Sequence, residues 1–466
     1  MEKRTLKQIS EYVNGTVYGN PELQVSGVAI DSRKVQAGDL FVALVGESTD
    51  GHRFIQTALN NATSALVEKG WAEQNHQLLP KGRGLVAVDS PLIALQELAK
   101  SYREGFKLPV IGVTGSCGKT STKDMIAAVL GERLCVHKTL GNFNNELGLP
   151  LTLLQLQAGH EAAVLEMGMR GRGEIKFLAE LAKPKIGVIT NIGTTHLELL
   201  GSQENIALAK GELFVALPSD GIAILNGDDV WCRSLGKDLT CRTLYYGIDD
   251  ASADLRAYGI TPQEGQGTSF MVAYKGKKME FLLPVPGRHN VSNALAAIGV
   301  GLSLGLSLEE CSQGLVKLEM TAMRLELCSG PGGITIINDT YNANPTSTQA
   351  SLEVLAERAQ ECPKIAVLGS MFELGSSTEA GHKQVGAFAA NNCGLSYLLT
   401  VGDLGRFIAD GALGEGMEKD RVCSFDDTQS AVAYLKAHMP PRAWILVKGS
   451  RGMKMERVVE GLQESL

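Results

Sequence analysis

The segment TGSCGKT, residues 114–120, lies between an apolar stretch and one with helical periodicity. Glycines in such a turn let backbone N–H groups point at phosphate oxygens, and the first turn of the helix adds a favourable dipole. The lysine neutralises the β- and γ-phosphates, and the last threonine hydroxyl reaches Mg²⁺. The spacing is shorter than a strict P-loop, since Val113 stands where its first glycine falls. The alternative is a purely structural turn, but the context favours a phosphate site made by Thr114, Gly115, Ser116, Cys117, Gly118, Lys119 and Thr120.

Two further polar side chains follow apolar stretches. Glu166 comes directly after residues 162–165, and His196 follows residues 186–190 in TNIGTTHLE. Ligands of open parallel sheets bind at the carboxyl ends of the strands, and Mg²⁺ prefers oxygen ligands. Glu166 is therefore predicted to bind metal rather than to be a solvated strand end. For His196, a second metal-ligand role and an ordinary hydrogen-bonded loop histidine both stay open.

Lys210 lies on the inward face of a predicted helix at residues 203–217. Ile206, Leu213 and Phe214 stand three or four residues from it, and such positions share one helix face. A buried ammonium is unfavourable unless it is paired. Either the stem is buried and the amine reaches the surface, or the amine reacts with CO₂ to give a carbamate that binds Mg²⁺. The pattern alone favours the plain lysine.

Asn290 and Asn293, in HNVSNALAA, stand three residues apart on one face of a predicted helix. Amide side chains both donate and accept hydrogen bonds, which suits the edge of an adenine ring. Capping of the helix by Asn290 is an equally good interpretation.

Charged residues near the end of the chain suggest contacts with anions or with ribose. Arg324 and Asp339 lie on the two arms of a predicted hairpin, built from residues 324–327 and 334–337. The arginine could reach a nucleotide phosphate and the aspartate a ribose hydroxyl, or the two could pair across the hairpin. Lys448 and Arg451 stand in VKGSRGMKM, which predicts a strand, a glycine-rich turn and a helix. Together with the helix start they could hold a carboxylate, or they form a solvated basic turn.

The order of these elements predicts the fold class. Buried apolar stretches alternate with helical ones, which is typical of a parallel α/β sheet. We expect three domains: a small α/β domain at residues 1–89, a central parallel-sheet domain with the phosphate loop at 90–320, and a Rossmann-like α/β domain at 321–466.

Composition excludes several classes of function. Of the 466 residues, 44% are hydrophobic and 20% charged, which are values of globular proteins, and the net charge of −7 argues against nucleic-acid binding. The nine cysteines include no CxxC pair, so we expect reduced thiols. No apolar run is long enough to span a bilayer, and the first residues do not read as a signal peptide. We therefore expect a soluble cytoplasmic enzyme that binds no nucleic acid and no membrane.

Taken together, these residues resemble the Mur ligase family over nearly the whole chain. The segment TGSCGKT is similar to the family's short ATP loop, and Glu166, His196 and Lys210 fall where the family has a glutamate, a histidine and an often carbamylated lysine that bind magnesium. The resemblance favours the metal roles of the last two residues. It implies ATP and two Mg²⁺ ions as cofactors, with nucleotide contacts from Asn290, Asn293, Arg324 and Asp339.

The subtype is also suggested by resemblance. GNFNNELGLPLTLL, LEMGMRGRGEI, NDTYNANP, MFELG and VKGSRGMKME resemble the branch that adds D-alanyl-D-alanine to UDP-N-acetylmuramoyl-tripeptide. That branch is an ADP-forming ligase, expected here as a monomer, and its reaction passes through an acyl phosphate. This chain departs from the family pattern at Ser370, where aspartate is common in the family. The substrate contacts implied are Ser32, Arg33, Asp50, Gly51, His52, Asn142, Asn144, Asn145, Tyr341, Asn342, Lys448 and Arg451.

Other functions stay open at this point. Another amino-acid ligase of the same family is the nearest alternative, and a P-loop NTPase switch is one from a different class. A nicotinamide dehydrogenase is a poor fit, because Gly299, Gly301 and Gly305 lie within an apolar helical stretch and do not follow a strand.

Overall fold

The computed structural model describes residues 1–46, 48–263 and 267–464 of the chain. Its strands form three large sheets of five, nine and six strands, which follow one another along the sequence, and one two-stranded sheet. Helices pack on the sheets, so the predicted α/β class is confirmed. Within these described ranges, no helix is long and apolar enough to cross a membrane.

The first sheet is small, with the order β2-β7-β6-β5-β4, and β1 pairs with β3 beside it. All pairs in the larger sheet are parallel except β2 with β7. The elements of this region are β1 (Arg4–Thr5), α1 (Leu6–Val13), β2 (Thr16–Tyr18), β3 (Gln24–Val25), β4 (Gly27–Ala29), β5 (Asp39–Val42), α2 (Ile55–Ala58), β6 (Ser64–Glu68), α3 (Lys69–Asn75) and β7 (Gly84–Val88).

The second sheet has the order β16-β15-β14-β13-β12-β11-β8-β10-β9. Its elements are α4 (Pro91–Glu104), β8 (Val110–Thr114), α5 (Lys119–Leu130), β9 (Val136–Lys138), α6 (Gly148–Leu153), β10 (Ala162–Glu166), α7 (Glu174–Ala182), β11 (Ile186–Ile189), α8 (Leu197–Leu200), α9 (Gln203–Val215), β12 (Ile222–Asn226), α10 (Val230–Leu235), β13 (Arg242–Gly247), β14 (Leu255–Pro262), β15 (Thr268–Tyr274), β16 (Lys277–Leu283), α11 (Arg288–Ser303) and α12 (Leu308–Val316).

The third sheet has the order β17-β18-β22-β19-β20-β21, parallel except for β17. Its elements are β17 (Glu326–Ser329), β18 (Thr335–Asp339), α13 (Pro345–Ala359), β19 (Lys364–Gly369), α14 (Thr378–Asn392), β20 (Tyr397–Val401), α15 (Gly405–Gly414), β21 (Val422–Phe425), α16 (Thr428–His438), β22 (Trp444–Lys448) and α17 (Glu456–Gln463).

Helix α4 joins the first two regions, since it packs on α1 of the first and on α6 and α7 of the second. Ser90 caps its start, with its side chain accepting from the backbone N–H of Ile93, and proline occupies the first turn, where no N–H is needed. The domain boundaries expected at residues 89/90 and 320/321 stay predictions.

Three strands of the central sheet determine where its polar residues meet. β8 lies between β10 and β11, and all three run parallel. The register pairs Glu166 with Val113, and Ile189 with Thr114, so the carboxyl ends of the three strands lie side by side. The strands are buried throughout, as expected for a parallel sheet covered on both faces.

The structure corrects two expectations about the sheets. The central sheet is not wholly parallel, because β14, β15 and β16 extend it as an antiparallel meander. The predicted hairpin lies about two residues later than expected, at β17 and β18. Met323 and Leu325 have positive φ angles of 62° and 51°, so the chain turns there and Arg324 precedes the strand.

The segment VKGSRGMKM also differs from the prediction. The strand ends at Lys448, a short 3₁₀ turn covers Arg451–Met453, and α17 begins only at Glu456. Arg451 lies 3.0 Å from the Glu456 carboxylate. Arg451 is therefore paired with Glu456, the first residue of α17. The sequence had suggested that this arginine binds the carboxylate of a ligand.

A buried cluster ties the phosphate-loop helix to the segment before the third sheet. The Asp124 side chain is fully buried on α5 and lies 2.7 Å from Lys138 and 3.4 Å from Lys123. Its other oxygen accepts from the backbone N–H and the hydroxyl of Thr321, at 3.0 and 2.7 Å. One carboxylate thus joins α5, the end of β9 and the connection to the third region.

We expect Asp124→Ala to lower the free energy of unfolding by about 3–5 kcal/mol, because it leaves buried cations without their partner. Chemical denaturation of the purified variant measures this. Asp89→Ala is the control, since Asp89 pairs with Lys69 at the surface, where its side chain is 88% exposed. That change should stay within about 1 kcal/mol.

The same variant should change the acid dependence of stability. Burial alone would raise the pKa of the Asp124 carboxyl, but Lys123, Lys138 and Thr321 hold it below its ordinary value. The carboxylate therefore stabilises the fold above the unfolded pKa, and this contribution is lost as the pH falls through the lower folded pKa. An unchanged acid limb in Asp124→Ala would contradict this interpretation.

Candidate active site

The phosphate loop joins β8 to α5 through two glycines in unusual backbone conformations. Gly115 has φ +147° and Gly118 has φ +80°. A Cβ atom at Gly115 would overlap the Thr190 side chain, and one at Gly118 would lie 2.6 Å from Asn293 Oδ1. Both positions therefore need glycine on conformational and steric grounds.

Asn191, which follows β11, holds the loop in place and was not singled out from the sequence. Its carbonyl accepts from Ser116 N at 3.0 Å, and its Oδ1 accepts from Cys117 N at 3.0 Å. Its amide also donates to the Cys117 carbonyl at 3.1 Å. The segment TNIG after an apolar strand could have pointed to this residue. Its contact with the phosphate loop, however, depends on the two strand ends lying side by side.

The N-terminus of α5 presents donors without protein acceptors. The backbone N–H groups of residues 118–121 make no hydrogen bond to any other described residue. Lys119 folds back, with Nζ donating to the Gly115 carbonyl at 2.7 Å. Burial lowers the pKa of the Lys119 amine, while the nearby Glu166 carboxylate raises it. Free N–H groups beside a cation form a site suited to phosphate.

Glu166 is 3% exposed and is held by the loop that precedes α6. Its Oε1 accepts from the Asn144 amide at 2.8 Å, whereas its buried Oε2 has no hydrogen-bond partner among the described residues. A buried carboxylate oxygen without a donor is unfavourable unless a ligand supplies positive charge. The structure thus gives Glu166 the environment that a cation ligand needs.

The side chains of His196 and Lys210 lie close to the Lys119 amine. Burial, then Lys210 and Lys119, lower the pKa of His196 to about 4, so its ring is neutral and its 3.8 Å approach to Glu373 is not an ion pair. Lys210 is 2% exposed, and its amine makes no hydrogen bond or ion pair to any residue that the structure describes. Burial, reinforced by Lys119, lowers its pKa well below the ordinary value. Since the amine does not reach the surface, the snorkelling alternative is wrong.

Arg324 extends from the third region onto the phosphate loop. Its guanidinium donates to Thr120 Oγ1 at 3.0 Å and lies 4.2 Å from the centre of the Tyr341 ring. In this arrangement the guanidinium faces the threonine hydroxyl. The metal role expected for Thr120 and the present position of Arg324 therefore exclude one another.

Asp339 pairs with Lys448 on the neighbouring strand β22, not with Arg324, so the predicted ion pair across the hairpin is wrong. The Ser351 hydroxyl donates to the same carboxylate at 2.6 Å. Lys448 is 3% exposed and also donates to the Asn342 carbonyl at 3.0 Å. Both charges are already compensated, which weakens the expectation that Lys448 binds a substrate carboxylate.

Asn290 is not a helix cap, because α11 begins at Arg288 and Gly287 is the cap residue. Its amide donates to the Pro286 carbonyl at 2.8 Å, and its Oδ1 accepts from Asn293 at 3.2 Å. Asn293 Oδ1 in turn accepts from the Thr122 hydroxyl at 3.2 Å. These amides tie α11 to α5, which leaves them fewer free groups for adenine than the sequence suggested.

The predicted asparagines at residues 142–145 have different roles. Asn144 orients Glu166, as described above. The Asn145 side chain accepts from the backbone N–H groups of Leu147 and Gly148, at 3.3 and 2.9 Å, and so holds the start of α6. Asn142 is exposed and faces the cavity described below.

The substrate residues predicted in the first region do not line that cavity. Arg33 is 86% exposed and pairs with Asp31 in its own loop. Both nitrogens of the buried His52 ring are engaged, by Asp50 and by the backbone N–H of Glu68, and its substrate contact stays a prediction. Ser32, Gly51 and the distant Arg451 are likewise absent from the lining of the cavity among the described residues.

A cavity of about 920 Å³ collects most of the other predicted residues between the second and third regions. Among the described residues, no group of three or more His, Cys, Asp or Glu side chains is arranged to hold a metal ion. The lining also includes residues that the sequence analysis passed over, among them Arg170, Asn191, Asp228, His289 and Asn344. The predicted residues that line it are Ser116, Cys117, Gly118, Lys119, Thr120, Asn142, Asn144, Asn145, Glu166, His196, Asn290, Asn293, Arg324, Asp339, Tyr341, Asn342 and Lys448.

Three family models match successive parts of the chain. Their descriptions are "Mur ligase family, catalytic domain" for residues 24–103, "Mur ligase middle domain" for residues 113–301, and "Mur ligase, glutamate ligase domain" for residues 323–451. A protein of Bacillus subtilis named UDP-N-acetylmuramoyl-tripeptide--D-alanyl-D-alanine ligase is 43% identical, covering 100% of this chain and 99% of its own. The chain belongs to the Mur ligase family.

Other family members agree over the same length. The Escherichia coli protein of the same name is 36% identical over 99% of this chain and 98% of its own. The crystal structure of MurF from Acinetobacter baumannii superposes with a TM-score of 0.88, at 31% identity over 100% and 99% of the two chains. The structure of MurF ligase from Thermotoga maritima in complex with ADP gives 0.81, at 29% identity over 94% and 97%.

We expect Gly115→Ala to weaken ATP binding by roughly 10- to 100-fold, because the new methyl group overlaps Thr190 and forces the loop to move. Calorimetric titration with a non-hydrolysable ATP analogue measures this. Gly159→Ala is the control, since the space around that position is open. Equal affinities of the two variants would show that the loop conformation does not limit nucleotide binding.

Proposed function

We propose that this chain is an ATP-dependent, ADP-forming ligase that joins D-alanyl-D-alanine to UDP-N-acetylmuramoyl-tripeptide. The observation that carries the proposal is the single cavity in which the free N–H groups of residues 118–121 lie with the unpartnered Glu166 oxygen. Its position between two regions gives room for a nucleotide and an acceptor together. The full-length relatives supply the identity of the substrates.

In the proposed reaction, the phosphate loop and Lys119 hold the ATP phosphates, and the terminal carboxylate of the tripeptide attacks the γ-phosphorus. This step gives an acyl phosphate and ADP. The amine of D-alanyl-D-alanine then attacks the acyl carbon, and phosphate leaves from the tetrahedral intermediate. The cations at the loop act mainly by offsetting negative charge that develops in these steps.

We propose that Mg²⁺ binds at Glu166, with Thr120 as a further ligand. The buried Glu166 Oε2 without a donor supports this, and Mg²⁺ sites commonly use one or two carboxylates together with substrate phosphates and water. When bound, the ion would offset negative charge on the β- and γ-phosphates of ATP. Arg324 must leave Thr120 for that hydroxyl to serve as a ligand.

We also propose that Lys210 is carbamylated and contributes to a second Mg²⁺ site with His196. An amine adds to CO₂, with loss of a proton, only in its neutral form. The Lys210 amine is buried without a partner among the described residues, and its burial lowers its pKa and so favours this form. The product is an anion at Lys210, close to Lys119 and His196.

The cytoplasm is the location that we propose, and a monomer is the proposed state. The nine cysteines are all unpaired in the described structure, which is typical of a reducing compartment. Candidate nucleotide contacts come from both the second and the third region, so we propose that the two close around ATP.

Phosphate release from ATP, combined with the mass of the product, tests the proposed reaction. We expect release to require Mg²⁺, UDP-N-acetylmuramoyl-tripeptide and D-alanyl-D-alanine, each omitted in turn. The product should be heavier than the tripeptide substrate by the dipeptide less one water.

Two other outcomes would favour the alternatives. Release that is indifferent to both acceptors would support an NTPase switch and exclude the ligase. Product formation with a shorter muropeptide and a single amino acid would keep the family but assign a different step.

The carbamate at Lys210 can be observed directly. After equilibration with ¹³C-bicarbonate, we expect a carbamate carbon resonance in the wild-type protein and none in Lys210→Arg. That variant should also lose most of its ligase activity, because an arginine cannot carry the new oxygen ligands. Lys176→Arg is the control, since Lys176 is exposed on α7. Full activity in wild-type protein that lacks the resonance would contradict the proposal.

A further inference from the structure

Arg170 lies in the loop between β10 and α7, four residues after Glu166, and lines the same cavity. Its guanidinium makes no hydrogen bond or ion pair to any described residue. The other lysines and arginines of the cavity lining are each engaged. Their partners are the Gly115 carbonyl for Lys119, Asp249 for Arg288, Thr120 for Arg324 and Asp339 for Lys448.

The backbone around Arg170 is nevertheless fixed. The Glu174 carboxylate accepts from the N–H groups of Arg170 and Gly171, at 2.9 and 3.1 Å. The Glu212 carboxylate accepts from Gly173 N at 2.8 Å. These two carboxylates hold the backbone of the loop, so the Arg170 cation is presented from an ordered backbone. Such preorganisation favours ligand binding, because less entropy is lost.

The position of this cation suits the acceptor substrate rather than the nucleotide. The guanidinium is near enough to His196 to contribute to the lowering of the pKa of that ring, and Glu166 ends the strand that leads into the Arg170 loop. Asn142, Asn144 and Asn145 line the same cavity outside the phosphate loop, and the Asn144 carbonyl accepts from Gly168 N, two residues before Arg170, at 2.8 Å. A carboxylate bound at the γ-phosphate end of the loop would share this cavity with Arg170, and guanidinium recognises carboxylate in a bidentate manner.

We propose that Arg170 is a specificity-determining residue that binds a carboxylate in the peptide part of the muramoyl tripeptide. This inference rests on the proposed ligase function. The carboxylate can come from two sources. One is a carboxylate that every such tripeptide carries, and the other is the distal carboxylate present when the third residue is diaminopimelate and absent when it is lysine.

Steady-state kinetics of Arg170→Gln with both tripeptides tests the proposal. We expect the KM for the tripeptide to rise roughly 10- to 100-fold, since a charged hydrogen-bonded contact is lost. The KM values for ATP and D-alanyl-D-alanine should stay within twofold of wild type. Arg170→Lys should recover part of the loss, because it keeps the charge without the bidentate geometry.

Arg172→Gln is the matched control. Arg172 lies two residues further along the same loop, donates to Asn205 Oδ1 at 2.6 Å, and is not among the described residues that line the cavity. Its KM for the tripeptide should equal that of wild type. A rise in Arg172→Gln as large as in Arg170→Gln would overturn the proposal, since loss of loop order would then explain both.

The two peptides identify the source of the carboxylate. An equal rise for both supports a shared carboxylate, and a rise confined to the diaminopimelate peptide supports the distal one. Unchanged KM and unchanged calorimetric affinity for both peptides, or a rise confined to the lysine peptide, would overturn the role of Arg170. Wild-type protein that forms no ligation product with either peptide would instead overturn the proposed function.

Discussion

The carboxyl ends of β10, β8 and β11 lie side by side because the register pairs Glu166 with Val113 and Ile189 with Thr114. The chain leaves all three strands at the same edge of the sheet. The loop after β11 can therefore clamp the loop after β8, through the bonds from Asn191 to Ser116 and Cys117. The same edge brings Glu166 to the start of α5. A shift in this register would separate the carboxylate from the donors, whatever residues the loops contained.

The site that results has more positive than negative charge. Lys119 and Arg324 approach one another, while Glu166 offers one oxygen without a partner. Burial makes this arrangement unfavourable in isolation, which is reflected in the lowered pKa values of Lys119, His196 and Lys210. Binding of anionic phosphates and carboxylates would offset this buried positive charge. The electrostatic strain within the site and the chemistry proposed for it thus have the same origin.

The third region completes the cavity through a few polar contacts with the central one. Arg324 reaches Thr120, and the Asn344 amide lies 3.2 Å from the Cys117 sulfur. Asp124 accepts from Thr321 at the connection between the two regions. Such contacts exchange readily with water or ligand groups, unlike a large apolar interface, and this is compatible with closure around a nucleotide.

Local pattern in the sequence determined the α/β class, the phosphate loop and the position of Glu166 at a strand end. These features depend on residue order over short distances, namely apolar runs, glycine spacing and helical periodicity. The placement of Lys210 inside its helix face was also readable from spacing. The comparison with a known family then supplied the substrates, which no local pattern contains.

Only the tertiary structure decided which partners each polar residue has. Asp339 pairs with Lys448 rather than with Arg324. Asn290 donates to the Pro286 carbonyl instead of capping α11. Glu456 pairs with Arg451, which the sequence had assigned to a ligand carboxylate. The roles of Asn191 and Arg170 depend on strand ends that lie close together only in the folded protein. These outcomes depend on register and on packing between residues far apart in the chain. A sequence states which side chains can pair, whereas the folded backbone fixes which of them come within bonding distance.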